Sequence, residues 1–230
     1  MASREQAKDQ RRKAIVAAAM RLMHNRGDSG FSMRALAEAA GVSIATPYNL
    51  FGSKQAIMLA VLDTGMALYE ERLEQLDADP LEIFFEAVTL ATELYAEAPK
   101  FHQAVLFSAY GDGGRDYRAV FGDPRFVFWR TLVERAREAG ELDAGIDASA
   151  LALALGQQFF ICILEWAYGQ IDLSELECRV HYGFALLLKG AATASAADRL
   201  AGKIPELQAH LTAMWAAEPT AVVASRVQSR

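Results

Sequence analysis

The sequence predicts an all-α protein, with a small three-helix head at the amino end and a helical bundle behind it, nine or ten helices in all. Three observations carry this. The 230 residues include 43 alanines against six prolines, and 53% of the chain is apolar. No segment alternates strictly between apolar and polar residues, which is the mark of a half-buried strand. Apolar residues instead recur at three- and four-residue spacing, between residues that start and stop helices.

From Asp9, the residues Ile15, Ala18, Ala19, Leu22 and Met23 share one helical face, and Gly27 to Gly30 end it. Ser32 caps a short helix from Met33 to Ala40, which Gly41 closes in the left-handed conformation. Ser43 caps a second short helix two residues later. After Phe51-Gly52, Ser53 caps a long helix to about Leu76, with Ile57, Val61, Leu62, Met66 and Leu73 facing inward. Asp79-Pro80 opens a helix to about Ala98, Pro99 one to about Tyr110, and Asp123-Pro124 one that Gly140 closes. Gly111 to Gly114 reads as a loop. Asp147 starts a strongly apolar helix to about Tyr168, and Asp172 its companion to Ala192. Ser195 to Ala217, with a kink expected at Pro205, is the last, and the tail from Glu218 reads as disordered.

Composition narrows the function. The apolar run Phe159 to Leu164 falls short of the roughly 20 residues that span a bilayer, and the polar first twelve residues lack the apolar segment of a secretion signal. The expectation is a cytoplasmic protein with no membrane partner. Cys162 and Cys178, the only two cysteines, lack metal-ligand spacing and read as reduced core residues. The net charge of −6 is unevenly placed: residues 1–60 carry +5 and residues 61–230 carry −11. A basic head on an acidic body suits a protein whose first segment alone approaches a polyanion.

Between Phe31 and Phe51 two short helices flank Ala40-Gly41-Val42, which is a helix-turn-helix. Leu36, Ala37, Ala40 and Val42 fill the angle and Gly41 allows the sharp turn. Such a pair places the amino-terminal half of its second helix in the major groove of duplex DNA. By shape alone an ordinary helical corner fits as well.

The residues themselves carry more. The run Phe31-Ser-Met-Arg-Ala-Leu-Ala-Glu-Ala-Ala-Gly-Val-Ser43, followed by Thr46-Pro-Tyr48-Asn-Leu-Phe51-Gly-Ser-Lys54, resembles the DNA-binding head of TetR-family transcriptional regulators. The resemblance is strong from Arg11 to Leu62, and beyond that it is one of size and helical architecture. It implies a head at residues 1–53, a ligand-binding and dimerisation body at 54–217, and a tail at 218–230. It also implies a homodimer that binds a palindromic operator in double-stranded DNA and is released, as a repressor is, by a small effector.

Residue by residue, the resemblance assigns Ser32, Arg34, Tyr48 and Lys54 to phosphate contacts, while Thr46 and Asn49 face the bases. Asparagine can pair in bidentate fashion with adenine, and a threonine methyl can touch thymine. Ser43 and Ile44 complete the expected DNA surface. Four positions depart from the family pattern: Ile44 stands where polar or basic residues are common, Ala45 for a frequent glycine, Asn49 for an aromatic and Leu50 for a histidine. Pro47 disfavours helical geometry at Thr46, so the first turn is expected to be irregular. Arg11, Arg12 and Lys13 are further candidates for phosphate contact.

In the body, the many aromatics are mostly core, but some can line an apolar cavity with a few polar handles. His102, Phe107, Phe128, Trp129, Gln157, Phe160 and Trp166 are the candidates, for a hydrophobic effector. The dimer seam is expected at Ala152, Gly156, Phe160, Leu164, Gly183, Leu186 and Leu187, packed as a four-helix bundle. No cofactor or metal is expected, since His102 and His181 are isolated histidines. An enzyme is disfavoured because no nucleophile elbow, phosphate loop or His-Glu-x-x-His occurs. The alternative is a helical scaffold or sequestering protein with a vestigial head.

Overall fold

The computed structural model describes residues 2–26, 30–110 and 124–217. Ten helices form within them: α1 (Ala2–Arg26), α2 (Met33–Ala39), α3 (Ala45–Phe51), α4 (Lys54–Glu74), α5 (Ile83–Glu97), α6 (Pro99–Tyr110), α7 (Pro124–Glu138), α8 (Ala148–Ala167), α9 (Leu173–Ala191) and α10 (Ala194–Ala217). The described residues contain no strand, only an isolated bridge between Leu142 and Ala192. The Gly111 to Gly114 loop, Asp123 and the tail from Glu218 lie outside the described residues.

Four helices start where a side-chain oxygen takes a free N–H, among them α4, α8 and α9. Ser53 Oγ accepts from Ala56 N at 3.1 Å, Asp147 Oδ1 from Ala150 N at 2.7 Å, and Asp172 Oδ1 from Glu175 N at 2.8 Å. Two starts differ from the sequence reading. α1 begins at Ala2 rather than near Asp9, because its polar first residues simply continue the helix on its exposed side. α5 begins at Ile83 rather than after Pro80: Asp79 Oδ1 takes the N–H of Leu81 at 2.9 Å, and Asp79 O takes that of Ile83 at 3.0 Å. Those bonds hold residues 80–82 as a turn before the helix opens. Pro205 lies inside α10, as expected.

The helices form two compact units. The first comprises Met1–Asp77, Glu93–Arg125 and Leu164–Gln170. Its core is Ile15, Ala18, Ala19, Met23, Phe31, Leu36, Ile57, Met58, Val61 and Val105, so the head, α4 and α6 share one apolar interior. Nearby, Tyr95 and Trp166 stack with ring planes 10° apart and centroids at 5.0 Å. The second unit comprises Ala78–Thr92, Phe126–Ile163 and Ile171–Arg230. Trp129 centres it, meeting Phe128, Phe159 and Phe184 at centroid distances of 4.8, 5.5 and 5.2 Å. Its buried Thr92 and Glu175 are paired: the Thr92 hydroxyl donates to Thr89 O at 2.8 Å and lies 3.2 Å from Glu177 Oε2, and Glu175 accepts from Trp215 Nε1 at 3.1 Å.

α8 stands apart among the described helices. By length and composition it could cross a membrane, although Phe159 to Leu164 looked too short in the sequence, because its apolar character runs on both sides of that segment. Only 33% of its most apolar stretch is buried within the chain.

Phe184 is fully buried against Trp129, so Phe184→Ala should lower the unfolding free energy by about 3–5 kcal/mol. Urea denaturation checks this, with exposed Leu68→Ala as the reference that should change stability far less.

Candidate nucleic-acid interface

The turn between α2 and α3 fixes the geometry of the head. α2 is capped by Ser32, whose Oγ accepts from Ala35 N at 3.1 Å. At its other end Gly41 takes φ +66°, its N–H donates to Glu38 O at 3.1 Å, and the N–H of Val42 donates to Ala37 O at 2.9 Å. This pair of bonds satisfies two carbonyls that the helix end leaves open, and it reverses the chain. A side chain at residue 41 would be strained in that conformation.

α3 then runs over seven residues and stops at Gly52, whose φ is +78° and whose N–H donates to Tyr48 O at 2.8 Å. Ser43 does not cap it through a backbone N–H, as the sequence suggested. Its hydroxyl pairs with Thr46 Oγ1 at 2.8 Å, and its carbonyl accepts from Thr46 N at 2.9 Å. The expected irregularity at Pro47 is absent. The helix starts at Ala45, so Pro47 falls in the first turn, where its missing N–H has no intrahelical acceptor to lose. Pro47 is also the buried residue of α3, so the proline ring serves as its inward anchor.

The outer face follows from that register. Ile44 and Tyr48 are 53% and 50% exposed, and Ala45 and Asn49 are exposed beside them. Ile44, Ala45, Tyr48 and Asn49 follow helical spacing and make one surface. Ala45 was noted in the sequence only as a replaced glycine, and its spacing to Tyr48 and Asn49 was the signal that it shares their face. Ser32, Arg34 and Ser43 are also exposed, while Thr46 and Lys54 are half-buried. Lys54 sits in the first turn of α4 with its ammonium 4.5 Å above the Phe31 ring.

Of the basic residues of α1, Lys13 pairs with Asp9 at 2.9 Å on the surface. Arg12 is turned into the head. Its Nη1 donates to Leu50 O at 2.6 Å, and its guanidinium lies 4.2 Å over the Phe51 ring.

The body candidates divide between the two units. In the first, Trp166 is buried against Tyr95, half-buried His102 lies 5.0 Å from the same tyrosine ring, and Phe107 is half exposed beside Tyr168. In the second, Phe128 and Trp129 are buried core residues, Phe160 is half-buried and Gln157 is exposed. Three residues of the expected dimer seam face inward instead. Ala152 is 1% exposed, a side chain at Gly156 would meet Trp129 at 3.1 Å, and one at Gly183 would meet Gln158 at 2.8 Å. Their small size serves packing inside the chain. Leu164 and Leu187 are half-buried, and Leu186 is exposed together with Leu153 and Ile161, which the sequence reading passed over.

Burial holds the imidazoles of His102 and His181 below their ordinary pKa of 6.5. His181 Nε2 meets Phe85 O at 3.1 Å, which with nearby Glu177 works weakly against that effect. Among the described residues no group of three or more His, Cys, Asp or Glu side chains could hold a metal ion.

A capped helix, a glycine-closed turn and a short helix with an exposed outer face define a helix-turn-helix domain, here built onto a helical body. Residues 15–61 match the family model of bacterial regulatory proteins, tetR family. The chain is 30% identical over 113 residues to the HTH-type transcriptional regulator EthR of Mycolicibacterium smegmatis, in a match covering 41% of this chain; it spans about half, 52%, of that relative. The structure of Thermus thermophilus FadR, a TetR-family transcriptional repressor in complex with lauroyl-CoA, is 25% identical with a TM-score of 0.66, covering 78% of this chain and 94% of that one. A TetR regulator from Rhodococcus sp. RHA1 has the same fold at 19% identity, with a TM-score of 0.65 and coverage of 79% and 97%.

The lowered imidazole pKa values set a direction for stability. Between pH 6.5 and the lower folded values, the unfolded chain binds more protons, so stability should fall as pH drops below about 6.5. His181→Gln keeps a donor for Phe85 O without titrating. Denaturation midpoints from pH 7 to 5 should therefore change less in this variant, and an unchanged pH dependence would contradict the assignment.

Proposed function

We propose that this protein is a ligand-responsive transcriptional regulator that binds a palindromic operator as a homodimer and acts as a repressor released by a small hydrophobic effector. The observation that carries the reading is the outer face of α3. Ile44, Ala45, Tyr48 and Asn49 stand clear of the head on the helix that such a domain lays in the major groove. Asn49 and Thr46 read bases, with the Thr46 hydroxyl oriented by Ser43. Ile44 adds apolar contact with thymine methyls. Ser32, Arg34, Ser43, Tyr48 and Lys54 hold the phosphates, and the charge of +5 on residues 1–60 draws the head to the duplex.

The acidic body at 54–217 pairs two copies and receives the effector. Support for pairing comes from α8, the most apolar helix and yet mostly uncovered. Leu153, Phe160 and Ile161 on α8, with Leu186 and Leu187 on α9, form the apolar surface that a second copy would cover. Two copies related by a twofold axis would set their recognition helices one duplex turn, about 34–36 Å, apart. The many aromatic side chains of both units, and the lauroyl-CoA held by FadR, support a mainly hydrophobic effector. An effector that binds better to one spacing of the heads shifts the population away from the DNA-bound form.

Selection from a random duplex pool should enrich one palindromic motif. Affinity for it should fall steeply with salt, Lys54→Gln should reduce the slope of log K against log salt by about 0.9, and Asn49→Ala should alter base preference at one position of each half-site. Ile161→Glu with Leu186→Glu should sediment as a monomer and bind the motif weakly. A pool that stays random would overturn the regulator reading in favour of a scaffold with a vestigial head.

A further inference from the structure

The carboxyl end of α3 lies next to its most informative residue. Asn49 is followed directly by Leu50 and Phe51, and the helix stops at Gly52. A helix end leaves its last carbonyls without intrahelical donors and carries partial negative charge. On α3 the Leu50 carbonyl is met at 2.6 Å by Nη1 of Arg12, while the same guanidinium covers the Phe51 ring at 4.2 Å. α1 does a similar thing for α2, where Arg21 Nη2 donates to Ala39 O at 3.3 Å. Two of the head's eight Lys and Arg residues are therefore engaged with helix ends inside the head.

We propose that Arg12 is a positioning residue for base readout: from α1 it clasps the end of the recognition helix through the Leu50 carbonyl and the Phe51 ring, so setting where Asn49 and Tyr48 stand, and it does not contact a DNA phosphate. The inference rests on the DNA-binding reading above. Its chemistry is specific to a guanidinium. A planar fork donates sideways to a carbonyl while its face rests flat on a ring, whereas an ammonium is a point charge on a flexible stem and fixes no such orientation. Tilting α3 by a small angle leaves the phosphate contacts of Arg34 and Lys54 in reach, since these sit on α2 and α4. It displaces Asn49 from a base edge, where a bidentate pair tolerates little error. The effect of Arg12 therefore falls mainly on discrimination among sequences, with a small loss shared by all duplexes through Tyr48, whereas a phosphate contact of its own would act on all duplexes alike.

The test uses the full chain and two duplexes of equal length, one enriched from the random pool by the wild-type protein and one unselected, titrated across a salt series. Arg12→Lys keeps the charge and the stem, and so keeps the variant informative if Arg12→Ala unfolds the head. It should weaken binding to the enriched duplex by about tenfold and to the unselected duplex by less than about twofold, with the salt slope unchanged. Phe51→Leu removes the ring, and combining it with Arg12→Lys should weaken binding no further than the stronger single change, because both break the same clasp. A lysine that restores wild-type affinity, or an Arg12→Ala variant whose salt slope drops by about 0.9 with equal losses on both duplexes, would show a phosphate contact and overturn the assignment. A wild-type protein that enriches no duplex would overturn the underlying reading itself, and this inference with it.

Discussion

A helix of seven residues cannot hold its shape alone in water, because nucleating a turn costs more than so few hydrogen bonds return. α3 is such a helix, and every statement about the exposed face of the head depends on what fixes it from outside. Those restraints are few and can be named. Gly41 and Val42 close α2 and set the angle, Pro47 plugs the helix into the head, Gly52 ends it, and Arg12 holds its last turn. Behind them lies one apolar interior shared by α1, α2, α4 and α6, with Ile15, Met23, Phe31, Leu36, Ile57 and Met58 at its centre. The outer side of α3 is left free to meet a partner because its inner side has so many obligations.

The same logic, inverted, applies to α8. A helix apolar on nearly all sides is stable where all sides are covered, and here most of its apolar length is not. Trp129 and its ring of aromatics take the inward side, using the missing side chain of Gly156 to approach closely. Leu153 and Ile161 remain outside. Head and body thus each combine a closely packed inner side with an outer side whose chemistry differs: polar and basic at the amino end, apolar on α8 and α9. On the proposed reading, that difference would let one chain meet a polyanion with one part and its own copy with another.

Much of this was legible in the sequence because it is local. Ser32, Ser53, Asp147 and Asp172 mark helix starts through bonds that reach only three residues along the chain. The helix-turn-helix was legible for the same reason, its angle being fixed by Ala37 to Val42 alone. What escaped was whatever depends on register or on distant partners. Pro47 looked disruptive until the helix start was placed two residues before it. Asp79 looked like a helix cap, but its side chain and carbonyl together stabilise a turn first. Small residues on an apolar helix say that something comes close, not what: at Gly156 it is Trp129, and at Gly183 it is Gln158. Arg12 lies 38 residues from Leu50 in sequence, and its position in a basic run suggested solvent or phosphate. Only the fold shows that it is directed at a carbonyl.

The central claim is that the outer face of α3 enters the major groove of two half-sites at once. Methylation protection at guanine N7, an atom that lies in the major groove, measures this most directly on an enriched duplex. The account predicts two protected blocks on one side of the helix, related by twofold symmetry and centred about ten base pairs apart. Protection confined to the sugar-phosphate backbone, with guanine N7 fully reactive throughout the bound duplex, would contradict it.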